Sequence, residues 1–506
     1  MARTVVKAED ATRQTWTGDT NYQNALSIVA WQPTANTDYI VFWRGLADNS
    51  AAGSSTRVQL YVETTATAPD EMATAPDSVS GPSDLCAVGG FWRLQFGASP
   101  SAQTIRLRFK THNAASTAGV QDLALYVLQM TSNDVYTDTS TLVTTTSTTY
   151  QTGLTLSWTP TGTKDYLVMH NAKTRNSATG ADDAALRFRN GSTTIAEASP
   201  IGLRDNASGR AALVSFVKAT LSGLQSWTSQ YKAVSTGTTS YGPASMCALY
   251  LDDFEGNTYA EQAAEVTTAS TSAQTAASIS PTLTANDYLI LACALSRNSS
   301  ANTPTMVSLT QDGTALITES AREDEVGDQH YYMWFAAYHA TFTAGSKTFA
   351  VKYRNYATDG TARLGSVAIV ALQITAAAVG LPAPTIFDSV YLRNTLVIDD
   401  IFRLNTGNSA ATDPSAVQII DAPLHGTATV AGLYINYQPD AGYLGDDSFT
   451  YRYTTATAAQ SVTATATITV LPYRLMSQRK PFVLPQGIGA GAAGAPATSD
   501  SIGAGD

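Results

Sequence analysis

One stretch of this chain returns twice, at a spacing that fits a domain and not a solenoid. Asp38-Tyr39-Ile40-Val41-Phe42-Trp43 recurs as Asp165-Tyr166-Leu167-Val168-Met169 and as Asp287-Tyr288-Leu289-Ile290-Leu291, in steps of 127 and 122 residues. Pro33-Thr34, Pro160-Thr161 and Pro281-Thr282 precede the copies, and Asn49-Ser50, Asn176-Ser177 and Asn298-Ser299 follow them. Solenoid repeats run to roughly 20–50 residues, so each unit here must close a core of its own. Locally, each copy is a turn feeding a strand. Proline pre-sets the turn, Asp bonds nearby backbone N–H groups, and an apolar, β-prone run follows.

The rest of each unit reads the same way. In the first, the expected strands are Ala25–Trp31, Asp38–Trp43, Thr56–Glu63, Phe91–Phe96, Thr104–Lys110 and Leu123–Met130. Ile105, Leu107 and Phe109 alternate with Arg106, Arg108 and Lys110, which marks a strand with one buried and one solvated face. Residues 1 to about 20 read as an arm or a first edge strand. The second unit offers Leu154–Trp158, Asp165–His170, Ala184–Phe188, Ala212–Val217, Ser226–Lys232 and Met246–Leu251. The third offers Asp287–Leu295, Thr305–Thr310, Tyr331–Tyr338, Lys347–Tyr353 and Ser366–Ile374. No long 3.6-residue amphipathic pattern appears, and Thr-rich runs are frequent, so the class is all-β. Six to eight strands in about 120 residues exceed an immunoglobulin domain and favour a jelly-roll-like β-sandwich. The expected domains are residues 1–132, 133–254 and 255–377, all sandwich repeats.

After a Pro/Gly-interrupted linker at 376–385 the character changes. Asp421-Ala422-Pro423-Leu424-His425-Gly426-Thr427 is followed by Tyr437-Gln438-Pro439-Asp440-Ala441-Gly442-Tyr443-Leu444-Gly445-Asp446-Asp447-Ser448-Phe449-Thr450-Tyr451 and an alternating strand, Ala464–Val470. This stretch resembles the bacterial immunoglobulin-like, cadherin-like repeats of large surface proteins, over residues 385–472. The resemblance implies a seven-stranded sandwich serving as a spacer or adhesion module. Some members bind calcium between tandem copies. Here there is one copy, with only Asp399-Asp400 near its start, so no metal is expected. Residues 473–506 form a Pro/Gly-rich tail with apolar patches. Tyr473, Leu475, Met476, Phe482, Val483 and Leu484 are its expected partner-binding residues, ordered by contact with another chain.

Chemistry is not legible. The five histidines show no ligand spacing, there is no nucleophile elbow and no phosphate loop, and the acidic pairs suit turns. No catalytic residue, no cofactor and no metal is expected, and the chain is read as non-enzymatic. Cys86, Cys247 and Cys293 give no disulfide framework and read as buried thiols. The tryptophans Trp31, Trp43, Trp92, Trp158, Trp227 and Trp334 suit either sugar stacking or cores. With a net charge of −11, a phosphate-neutralising face for nucleic acid is not expected. The N-terminus lacks a signal-peptide core and no apolar segment is long enough to span a membrane, so membrane insertion is not expected.

Cytoplasmic synthesis combined with an extracellular style of composition fits a virion protein. The chain resembles bacteriophage virion surface proteins of the decoration or fibre type. That resemblance implies a structural role on the capsid or tail, made in the host cytoplasm and exposed on the particle. Other virion proteins, copies of the chain in a homo-oligomer and a host surface glycan are the expected partners. The alternatives are a carbohydrate-binding receptor-recognition fibre and a bacterial surface adhesin.

Overall fold

A computed structural model of the chain describes Arg3 and residues 5–17, 20–50, 55–63, 67–74, 85–111, 114–176, 184–201, 211–234, 237–300, 303–322, 330–374, 390–392, 396–398, 414–431, 434–440, 443–455 and 464–470. It divides into two compact units, residues 1–380 and 381–506. Among the described residues there is no α-helix; a single 3-10 turn, Leu251–Asp253, follows the second repeat.

The first repeat contains β1 (Val5–Asp10), β2 (Gln14–Thr17), β3 (Gln23–Trp31), β4 (Asp38–Asn49), β5 (Thr56–Val62), β6 (Thr67–Thr74), β7 (Cys86–Gln95), β8 (Gln103–Thr111) and β9 (Thr117–Gln129). The second contains β10 (Val135–Thr139), β11 (Val143–Thr145), β12 (Gln151–Trp158), β13 (Lys164–Asn176), β14 (Ala184–Asn190), β15 (Thr193–Ile201), β16 (Ala211–Leu221), β17 (Gln225–Ala233) and β18 (Thr239–Tyr250). The third contains β19 (Asn257–Gln262), β20 (Val266–Thr268), β21 (Gln274–Ile279), β22 (Thr282–Leu283), β23 (Asn286–Asn298), β24 (Thr305–Gln311), β25 (Thr314–Arg322), β26 (Tyr332–Phe342), β27 (Gly345–Ser346), β28 (Phe349–Asn355) and β29 (Ala362–Ile374).

Each repeat pairs from the outside inward. In the first, β1 pairs with β9, β3 with β8, β4 with β7 and β5 with β6, all antiparallel. The second does the same with β10·β18, β12·β17, β13·β16 and β14·β15, and the third with β19·β29, β21·β28, β23·β26 and β24·β25. A long antiparallel hairpin rolled up in this way is a jelly roll. The resulting sheets are β1-β9-β4-β7 and β3-β8-β5-β6, with equivalents in the other repeats. Irregularities recur too. The pairing of β3, β12 and β21 slips at Ala25, Gly153 and Ala276, each two residues after a glutamine.

The recurring Asp-Tyr strand is the centre of each repeat. Tyr39, Tyr166 and Tyr288 open β4, β13 and β23 and are each 4% exposed. The turn before the strand is tied to this ring: the Thr34 N–H donates to the Tyr39 hydroxyl at 3.0 Å, and Thr284 N–H to Tyr288 at 3.1 Å. Trp31 meets Tyr39 edge-on at 4.7 Å and Trp158 meets Tyr166 at 5.6 Å, a shared packing role. Trp43, Trp92, Trp227 and Trp334 are buried in the cores, and Trp31 and Trp158 are half-buried.

The two sheets of a repeat differ in what covers them. Strand β8 alternates buried and half-buried, as its sequence requires. Strands β4 and β23 are buried almost throughout, because both their faces are covered. The second cover is another repeat. One continuous apolar cluster joins Phe91 and Trp92 of the first repeat, Met169 and Phe216 of the second, and Cys293 and Phe335 of the third. The equivalent strands β7, β16 and β26 all take part in these junctions. This cluster therefore joins the three jelly rolls, while the second and third also keep apolar cores of their own, around Phe188 and Trp227 and around Ile290 and Val351.

The second unit, described by itself, has β30 (Val390–Leu392), β31 (Leu396–Ile398), β32 (Pro414–Asp421), β33 (Gly426–Ala431), β34 (Tyr434–Pro439), β35 (Gly445–Thr455) and β36 (Ala464–Val470). They form sheets β30-β36-β35-β32 and β31-β34-β33. Ile435, Tyr437, Phe449, Tyr451, Ala466, Ile468 and Val470 fill the space between them. Phe449 and Tyr451 point inward, as their alternation with Thr450 and Arg452 requires.

Candidate functional site

Three polar constellations stand out within the first unit. The most deeply buried lies between the first two repeats. Lys173 and Asp70 are both fully buried, with Lys173 Nζ 3.0 Å from Asp70 Oδ1. The other carboxylate oxygen accepts from Trp43 Nε1 at 2.8 Å and from Asn171 Nδ2 at 3.2 Å, and Asn171 Nδ2 also donates to the Phe91 carbonyl at 2.9 Å. Lys173 Nζ donates to Asn171 Oδ1 at 2.5 Å. The approach depends on Gly90, where a Cβ would stand 2.9 Å from both Asn171 Nδ2 and Asp70 Oδ2. Next along β13, His170 stacks on Phe188 at 5.0 Å and shares a hydrogen with Ser229 Oγ at 2.6 Å. Burial, then the nearby Lys173 charge, pushes the His170 pKa down to about 3. A hydroxyl beside a neutral imidazole is the start of nucleophile chemistry, but both groups are sealed from solvent and so cannot reach a substrate. This cluster is a polar lock between repeats.

The second constellation lines a cavity of about 640 Å³ at the turn joining repeats one and two. Arg3 is bound to Asp134 at 2.5 and 2.7 Å and lies 3.7 Å from Asp253. Across the cavity Arg93 faces Asp38 at 3.4 Å and Asp138 at 3.9 Å, over the ring of Tyr136. Four carboxylates share two guanidinium groups here, so the site carries an excess of negative charge.

The third constellation is outward. On β8 and β5, Arg106, Arg108, Lys110 and Arg57 sit on the half-exposed face. Arg108 lies over Tyr61 at 3.3 Å and donates to Gln59 at 3.1 and 2.5 Å; Lys110 lies over Tyr22 at 4.4 Å. The Tyr22 hydroxyl donates to Glu71. Repeat two rebuilds the group at equivalent positions. Lys232 and Arg187 lie over Tyr150 at 4.7 and 3.7 Å, Arg187 donates to Gln230 at 2.6 Å, and Tyr150 donates to Glu197 at 2.9 Å. The arginine and glutamine have exchanged strands: Gln59 pairs across from Arg108, and Arg187 across from Gln230. The alternating cations of β8 were visible in the sequence; the aromatic and acidic partners come from other strands and were missed.

In the second unit the sequence motif resolves into a turn built on one carboxylate. Asp447 accepts from the Leu424 and His425 N–H groups at 3.1 and 3.0 Å, from its neighbour Ser448 at 2.9 Å and from the Tyr437 hydroxyl at 2.7 Å. Burial raises its pKa, but these hydrogen bonds outweigh burial and hold it below the usual carboxylate value. His425 stacks on Tyr443 at 4.2 Å. Gly426 must lack a side chain, since a Cβ would sit 2.6 Å from the Tyr437 ring.

Tyr473, Leu475, Met476, Phe482, Val483 and Leu484 lie outside the described residues, as do Asp399-Asp400, Asp182-Asp183, Glu323-Asp324-Glu325 and His112. Cys86, Cys247 and Cys293 are buried free thiols. His339 packs against Tyr126 at 6.0 Å where the first and third repeats meet, and His330 precedes the same strand. Among the described residues no group of three His, Cys, Asp or Glu side chains is placed to hold a metal ion, and no helix is long and apolar enough to cross a membrane.

Comparison with known proteins gives a family for one part of the chain. No curated protein matches the sequence. Among solved structures, similarity is found to an archaeal virus protein described as having a triple jelly roll fold and forming a turret, at 10% identity, TM-score 0.18, covering 74% of this chain and 91% of that one. It is also found to the VP2 subviral particle of infectious bursal disease virus, at 8% identity, TM-score 0.16, covering 48% and 76%. A tandem CBM22 domain from Paenibacillus barcinonensis Xyn10C matches at 10% identity, TM-score 0.16, covering 48% and 91%. The family model described as a bacterial Ig domain matches residues 382–470, so the sandwich following the three jelly rolls is a bacterial Ig-like module.

Proposed function

We propose that this is a non-enzymatic structural protein displayed on the surface of a bacteriophage particle, as a capsid decoration, a fibre or a tail-associated protein. The observation that carries the reading is the apolar cluster that joins the three jelly rolls. It makes the first unit a rigid block, with equivalent strands meeting at its junctions and polar locks between neighbours. A block of that kind suits bearing load or occupying a lattice position. Its most deeply buried charges, Lys173 and Asp70, are paired with each other. The Ig-like module is a spacer in this reading. The tail, with Phe482, Val483 and Leu484, is the segment that holds a neighbouring virion protein or a second copy of the chain. Ordering it costs roughly 1–2 kcal/mol per backbone residue. Burial of each large apolar side chain returns about 1.5–3 kcal/mol.

The test is mass spectrometry and immunogold labelling of density-purified particles from cells that carry the gene. The protein is expected on the particle exterior in a fixed ratio to the major shell protein. Recovery from the cell envelope or the soluble fraction, with none on particles, refutes the proposal.

A further inference from the structure

The outer sheets of the first two repeats carry positive charge on a chain whose net charge is −11. On the described strands of β3-β8-β5-β6, Arg57, Arg106, Arg108 and Lys110 face outward against Glu71, with Glu63 just past β5 and paired to Arg106 at 2.7 Å. On β12-β17-β14-β15, Arg187, Arg189 and Lys232 face Glu197. We propose that these two faces bind an acidic polysaccharide, a sugar chain carrying isolated carboxylate or sulfate groups.

The first support is the recurrence of the cluster. A tyrosine ring under two cations, a carboxylate on the tyrosine hydroxyl and a cross-strand Arg–Gln pair occur in both repeats. The pair survives although its members have changed places, so the arrangement of groups is retained where the residues at each position are not. Cations that only kept the surface wet would need no such exchange. The third repeat supplies the contrast. Ala273 stands where the tyrosine would be, so the ring-and-cation group is not rebuilt there although Lys352 and Arg354 keep two cations on the strand.

The second support is spacing. Arg106, Arg108 and Lys110 alternate along one strand, so their backbone positions are about 7 Å apart, and Ser27 and Gln59 accept from Arg106 and Arg108 and hold their guanidinium groups in place. Separated, pre-positioned cations match a polymer of separated anions. A nucleic-acid duplex, with a charge per about 1.7 Å, demands denser cations. The Tyr22 and Tyr150 rings lie under cations and are not open for base stacking. Burial and the adjacent Arg57 push the Lys110 ammonium down, which fits a face with positive charge in excess.

The experiment is affinity electrophoresis of the full chain in gels containing alginate, dextran sulfate or unsubstituted dextran, with duplex DNA as a fourth probe. Retardation by alginate or dextran sulfate, absent with dextran and weakened by salt, is expected. The Arg106→Gln/Lys110→Gln variant is expected to lose about tenfold in affinity, since each charge contact contributes to the salt-dependent part. If that variant melts early, Lys110→Gln alone gives the readout, because Arg106 then keeps Glu63; a loss of about threefold is expected. The proposal is overturned if neither acidic polymer binds, if dextran binds as well, if the folded variants bind unchanged, or if DNA binds tighter than both.

Discussion

Replacing Lys173 by methionine removes one end of the buried ion pair between the first two repeats and leaves Asp70 charged in a site closed to water. Breaking a buried pair in this way costs about 3–5 kcal/mol, because the remaining charge keeps its desolvation penalty without its partner. Asp70 retains donors from Trp43 at 2.8 Å and Asn171 at 3.2 Å, which places the expected loss near the lower end, about 3 kcal/mol. At about 2 °C per kcal/mol for a large domain, that is a fall of roughly 6 °C in melting temperature. The double variant Lys173→Met/Asp70→Asn restores neutrality, and the new amide oxygen still accepts from Trp43. It is expected to recover to within about 1 kcal/mol of the wild type, since a neutralised buried pair no longer carries an orphan charge. Calorimetry of all four combinations closes the cycle. Hydrogen exchange adds the location: opening should appear first in β7 and β18. A single variant as stable as the wild type, or a double variant no better than the single, refutes the argument.

Gly90→Ala should cost about 1–3 kcal/mol by driving a methyl into Asn171 and Asp70, read as a lower denaturant midpoint with unchanged slope. Acidification should weaken the first unit above the range where carboxylates titrate. Burial holds His170 at about 3 and His339 at about 4, both below the unfolded value of about 6.5, so the unfolded chain takes up protons first. Stability is complete above that unfolded value and falls by up to about 2.7 kcal/mol per pH unit as pH drops toward 4. A melting temperature flat from pH ~6.5 to ~4.5 contradicts this. Asp447→Ala should strand three N–H groups, leave the Tyr437 hydroxyl only the His425 carbonyl at 3.3 Å and cost the Ig-like module about 3 kcal/mol, while the transition of the first unit stays put. Truncation after Pro472 should leave the sandwiches folded by circular dichroism and abolish incorporation into particles; normal incorporation would move the anchoring role elsewhere.

The central strands were legible because their signal is local. Asp-Tyr followed by apolar residues of both parities marks β4, β13 and β23, and the alternation in β8 marks a half-solvated sheet. The first-edge-strand reading of residues 1 to about 20 also fits, since β1 pairs with β9. Strands such as β2, β11 and β20 escaped notice. They are short, Thr-rich edges whose half-exposed positions carry no period, and only pairing with β9, β18 and β29 defines them. The fusion of the repeats was also hidden, since an apolar run does not say what covers its second face. The Lys173 site could have been suspected: His170, Asn171 and Lys173 interrupt an otherwise apolar strand, and a charge there needs a partner. Asp70 could not have been named, because the pairing crosses between repeats.

Three jelly rolls that pack through equivalent strands are what an assembly of three separate subunits would make. Here the pieces are tethered, so each meets its neighbour at a local concentration set by the connecting turns and not by the surroundings. A dissociable trimer falls apart on dilution, because its stability depends on the amount of free subunit. The first unit of this chain has no such dependence. A single copy at extreme dilution, with no others nearby, keeps all three junctions closed.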